Sequence, residues 1–149
     1  MRVLTIGTFD LFHDGHIYLL EHCKRLATVS DDRRWPGSLI GIPRDEVVIG
    51  VNSDEFIKTF KSAPIVPLKS REASLKAYGT VVVHNGETQA FIERHRPDYL
   101  VIGSDWARKD YLKQIQTTQD WLDSQRIALV FVPRPSHSES STKIRALRD

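Results

Sequence analysis

Cysteine occurs once in the 149 residues, at position 23, so no disulfide can form within the chain and the disulfide-stapled classes are excluded. No apolar run approaches the length that spans a bilayer, and the first residues carry no signal-peptide pattern. An excess of one charge is missing as well. Lys and Arg number 21 against 19 Asp and Glu, and a net charge of +2 does not suit a protein that holds polynucleotide by bulk electrostatics. Together these absences predict a soluble protein of a reducing, cytoplasmic setting, with neither membrane nor nucleic acid as partner. The length suits one α/β domain over residues 1–149 rather than two. Cys23 falls on the apolar side of a predicted helix and reads as a small buried hydrophobe, not a nucleophile.

What the chain has in their place is short apolar runs alternating with helical periodicity. Val3 to Ile6, Val47 to Val51, Thr80 to Val83, Tyr99 to Ile102 and Ala128 to Val132 read as buried strands. Ile17, Leu19, Leu20 and Cys23 recur at helical spacing, and Ser53 to Phe60 reads as a short helix with Ser53 or Asp54 near its cap. Ser70 to Tyr78 and Glu87 to Arg94 are helix-like, Lys109 to Gln125 spreads Leu112, Ile115, Trp121 and Leu122 along a helix, and Ser141 to Leu147 predicts a closing helix. Ala63 to Pro67 holds two prolines and is irregular. The segment from about 28 to 46 is an extended, turn-rich loop; Trp35 beside Arg33 and Arg34 suits a lid or a subunit contact, and a solvated excursion is preferred. Strands apolar throughout and separated by helices predict a doubly wound, Rossmann-like parallel sheet of five strands with helices on both faces. Ligands in such sheets bind beyond the carboxyl ends of the strands.

The stretch from Gly7 to His16 lies at such an end, where the first strand hands over to the first helix. Helix-start N–H groups favour anions there, and Gly15 permits close backbone approach. His13 and His16 are spaced to project imidazoles into one small volume, each able to donate a hydrogen bond to a phosphoryl oxygen. Phosphate is therefore the expected partner.

Gly7-Thr8-Phe9-Asp10 followed by His13-Asp14-Gly15-His16 resembles the signature of the cytidylyltransferase-like nucleotidyltransferases, nearest to their glycerol-3-phosphate cytidylyltransferase members. The resemblance continues through Val48 to Phe56, Val101 to Trp106, Val132 to Arg134 and Ser141 to Arg145, and so covers most of the chain. It implies transfer of CMP from CTP to a small phosphorylated alcohol such as glycerol 3-phosphate, with release of pyrophosphate and no covalent enzyme intermediate. His13, His16, Lys61 and Arg71 would be catalytic. Gly7, Thr8, Phe9, Asp10, Gly15, Asp105, Arg134, Ser141, Thr142, Lys143 and Arg145 would bind nucleotide. Mg²⁺ or another divalent cation would be held largely by the triphosphate and water, with Asp10 the nearest carboxylate. A homodimer is the family default.

Lys58 and Lys61 lie near family phosphate-binding lysines at a different local spacing, and a solvated helix face accounts for them equally well. The family's Gly-Asp-Asp-Trp reads Gly103-Ser104-Asp105-Trp106 here, its Arg-Tyr-Val-Asp is replaced by Ala77-Tyr78-Gly79-Thr80, and Arg134 leads into a longer segment without glycine. Base and acceptor recognition are thus less well specified than phosphate binding. An ATP-dependent adenylyltransferase is the alternative, since Ser140 to Arg145 also suits that ending, and a non-catalytic nucleotide sensor is a third reading.

Overall fold

The computed structural model describes residues 1–29, 46–103 and 110–133. Five strands form one sheet: β1 (Arg2–Gly7), β2 (Glu46–Asn52), β3 (Thr80–His84), β4 (Tyr99–Gly103) and β5 (Ala128–Val132). Their order across the sheet is β3-β2-β1-β4-β5, and every pairing is parallel. This is the expected doubly wound arrangement, in which the order reverses between β1 and β4 and opens a crevice at their carboxyl ends. The helices are α1 (Asp14–Val29), α2 (Asp54–Ile57), α3 (Leu68–Leu75), α4 (Thr88–His95), α5 (Tyr111–Gln114) and α6 (Gln119–Ser124).

Alternate strand residues divide between two apolar clusters, one on each face, which is why the strands read as unbroken apolar runs. Val3, Ile49, Val51 and Val101 pack with Leu20, Cys23 and Ala27 of α1 and Leu75 of α3. Leu4, Val48, Leu100 and Ile102 pack with Phe91 and Ile92 of α4, Tyr111 and Ile115 around α5, and Leu122 of α6. Gly50 is required on this second face: a Cβ there would lie 3.0 Å from the Phe91 ring and 3.2 Å from Ile6. Cys23 is buried, and desolvation pushes its thiol up to about 12, in keeping with an inert core residue.

One expectation fails. Lys109 to Gln125 is not a single helix; from Asp110 onward it forms α5 and α6, with Gln116 between them at φ 56°. The Thr117 hydroxyl donates to the Gln89 side chain at 2.9 Å, and the Thr118 hydroxyl caps α6 by accepting the Trp121 N–H at 3.1 Å. A residue held in the left-handed region, followed by a capping threonine, restarts the helix whatever the apolar spacing. The predicted closing helix and most of the extended loop lie outside the described residues.

Candidate active site

The chain leaves β1 through a turn that only its surroundings can hold. Phe9 and Leu11 both take left-handed backbone conformations, at φ 53° and 50°, which cost a non-glycine residue about 1 kcal/mol or more each. Their side chains are buried, and Phe9 folds back so closely that a Cβ on Gly7 would stand 3.1 Å from its ring. Gly7 thus serves to admit Phe9.

Asp10, between these two residues, is 2% exposed. Its carboxylate oxygens accept the backbone N–H groups of Ile65 and Val66 at 2.9 and 2.8 Å. The nearest carboxylate to the expected cation, Asp10 anchors the turn to the two-proline segment. Among the described residues no group of three or more His, Cys, Asp or Glu is placed to hold a metal ion.

His13 and His16 then begin α1 in a reciprocal arrangement. The Nδ1 of His13 accepts the Gly15 N–H at 3.0 Å, and the Nδ1 of His16 accepts the His13 N–H at 3.3 Å. This is the logic of a capping box with imidazoles in the roles of the usual hydroxyl and carboxylate. With Nδ1 accepting, the proton of each neutral ring lies on Nε2, so each imidazole can donate without first being charged. The two rings stack with centroids 3.9 Å apart, and His16 also contacts Phe9 and Phe12 at 5.4 and 5.6 Å. Phe9, Phe12, His13 and His16 are thereby held together as one aromatic cluster at the start of α1. The Gly15 N–H is engaged by His13 and serves the cap.

Arg71, expected as a catalytic residue, is 1% exposed, and its guanidinium ties three segments together. Nε donates to the Val66 carbonyl at 3.0 Å, one terminal nitrogen to the carbonyls of Thr8 and Asn52 at 2.9 and 2.7 Å, and the other to the Asp54 carboxylate. The planar fork, not charge alone, suits this set of acceptors. Arg71 is therefore a positioning residue for the turn after β1. Lys61 is exposed, with its ammonium 5.9 Å from the Phe60 ring centroid.

Asn52, Asp54 and His84 belong to this support; the sequence offers Asp54 only as a helix cap and singles out neither Asn52 nor His84. Ser53 caps α2 as expected, accepting the Phe56 N–H at 3.1 Å. His84 is 1% exposed, and desolvation lowers its pKa to about 4, leaving the ring neutral at physiological pH. Asp105, Arg134, Ser141, Thr142, Lys143 and Arg145 lie outside the described residues.

Known proteins of one family are similar to this chain. The family model described as cytidylyltransferase-like matches residues 38–147. The bifunctional protein HldE of Pasteurella multocida is 30% identical over 99% of this chain, which spans 28% of that protein's length. The FAD synthase of Korarchaeum cryptofilum is 29% identical over 97% of this chain and 89% of its own. A glycerol-3-phosphate cytidylyltransferase of Bacillus spizizenii is 31% identical over 76% of this chain and 79% of its own. Among solved structures, a lipopolysaccharide core biosynthesis protein from Thermoplasma volcanium superposes with a TM-score of 0.61 at 21% identity, over 91% of this chain and 98% of that one, a likeness of fold.

Proposed function

Because this chain belongs to the cytidylyltransferase-like family of nucleotidyltransferases, we propose that it transfers CMP from CTP to a small phosphorylated alcohol and releases pyrophosphate. The observation that carries the proposal is the pair of capped imidazoles, His13 and His16, stacked at the start of α1 where the sheet's crevice opens. An oxygen of the acceptor phosphate attacks the α-phosphorus while the bond to the pyrophosphate oxygen breaks. The acceptor needs no general base, since a phosphate monoester is largely dianionic at neutral pH. The task left to the protein is alignment and neutralisation of charge on the leaving pyrophosphate, for which fixed Nε2–H donors at a helix N-terminus are suited. A divalent cation bound with the triphosphate would supply further neutralisation, and no protein cage is assigned to it.

The Bacillus spizizenii relative favours CTP and a glycerol 3-phosphate-like acceptor. A second reading, ATP as donor, is favoured by the FAD synthase, whose product contains an adenine nucleotide and which matches nearly the whole chain. Pyrophosphate release with CTP and with ATP, each over a panel of phosphorylated alcohols, decides between them. Release with CTP and glycerol 3-phosphate is the expected result; release with ATP alone would replace it by the second reading. No release with any pair would leave a nucleotide sensor.

A further inference from the structure

Four polar side chains cross the ends of three strands in one line. The His84 ring at the end of β3 has Nε2 at 2.9 Å from the Thr88 hydroxyl and Nδ1 at 2.7 Å from the Asn52 amide oxygen. The Asn52 amide nitrogen in turn donates to the Thr8 hydroxyl oxygen at 3.2 Å. Asn52 and His84 are register partners of adjacent strands, and His84, Asn52 and Thr88 are all buried. Phe56 and Phe91 flank the imidazole edge-on, with centroids at 5.0 and 4.9 Å.

The sense of every bond follows from chemistry. An amide oxygen only accepts, so Nδ1 of His84 carries the proton and donates to Asn52. The neutral ring then has a lone pair at Nε2, which accepts from the Thr88 hydroxyl. An amide nitrogen only donates, so Thr8 Oγ1 accepts, and its own hydrogen has no acceptor among the described residues. Thr8 is half-buried and begins the turn that leads to His13, and its carbonyl is fixed by Arg71.

We propose that His84 is a positioning residue which, acting through Asn52, sets the Thr8 hydroxyl to donate to a phosphate oxygen of a bound substrate. The proposal rests on the nucleotidyltransferase reading for the identity of that substrate. Whether the phosphate belongs to the nucleotide or to the acceptor, the relay is the same.

The test compares Thr8→Val, His84→Phe, His84→Asn and the Thr8→Val/His84→Phe double variant, with KM measured for nucleotide and acceptor separately and the thermal midpoint recorded. Loss of one hydrogen bond to a charged oxygen predicts a rise of roughly tenfold or more in one KM for Thr8→Val, and the substrate affected identifies the phosphate. His84→Phe is expected to raise the same KM, and the double variant no further, since both act on one hydroxyl. Asparagine offers an amide N–H in place of Nδ1–H and is expected to restore that KM to within about twofold. Multiplied effects in the double variant, or His84→Asn behaving as His84→Phe, would overturn the relay, as would a lowered midpoint with both KM values unmoved. If His84→Phe does not fold, His84→Gln replaces it, as it reaches toward Thr88 without a donor for Asn52. Calorimetric titration with tripolyphosphate runs beside the kinetics. Weaker binding in Thr8→Val and His84→Phe supports the relay even where wild type turns over no substrate pair, a result that removes only the functional reading. Equal binding by all variants with no turnover removes the relay too.

Discussion

His13 and His16 hold each other's place. The ring of one accepts an N–H from the helix it starts, the ring of the other accepts the N–H of the first, and the pair stacks at 3.9 Å. On the proposed mechanism, capping and catalysis are joined in the same two side chains, and asparagine at position 13 separates them. Asparagine is an excellent N-cap but cannot place a donor where Nε2 lies. His13→Asn is expected to keep the thermal midpoint near wild type while kcat falls roughly a hundredfold, as for loss of a transition-state donor. His13→Ala should lose about 1 kcal/mol of stability in addition. Equal kcat in His13→Asn and wild type would confine His13 to the cap.

Replacing Arg71 by Lys keeps a charge but cannot reach the carbonyls of Thr8, Asn52 and Val66 together. Leaving buried acceptors unsatisfied predicts a loss of roughly 3 kcal/mol in urea unfolding, with weakened substrate binding as the turn loosens. An exposed anion clamp would lose binding with stability unchanged, so the two measurements discriminate.

Thr5 in β1 is fully buried, and its hydroxyl has no hydrogen-bond partner among the described residues. Thr5→Val keeps the shape and removes the desolvated group, which predicts a gain of about 1 kcal/mol, or some 2 to 4 °C in midpoint. A lower midpoint would show that the hydroxyl has a role in the fold.

His84 makes stability depend on pH with a defined sign. Its pKa is about 4 in the folded chain against 6.5 for an ordinary histidine, so between these limits the unfolded chain binds a proton that the folded chain does not. Stability is full above pH 6.5 and declines as pH falls toward 4, by roughly 3 kcal/mol. The groups in hydrogen-bond or ring contact with it, Asn52, Thr88, Phe56 and Phe91, are all uncharged. His84→Phe should flatten that decline by one proton in midpoint measurements across the range, and an unaltered slope would assign the titration elsewhere.

Apolar runs located all five strands because both faces of the sheet are covered, and the Ser53 cap was legible as a local signal. The roles of Asp10 and Arg71 were not legible. Their partners lie 55 and 63 residues away for Ile65 and Thr8, a separation across which spacing carries no information. The same holds for the Asn52–His84 contact. A sign was present nonetheless: β2 and β3 are apolar runs that each end on a polar residue, and parallel register places those two ends side by side.

The two N–H groups held by Asp10 turn a loop into a gauge. Ile65 and Val66 lie in a segment with neither helix nor strand, and the Ile65 side chain is 49% exposed, so their amide protons should exchange with solvent almost at once. Bound to a buried carboxylate, they are instead expected to exchange slowly, released only when the turn after β1 opens. Two amides far along the chain from His13 thereby report, by their exchange rates, how firmly the turn after β1 is closed and how much a bound ligand tightens it.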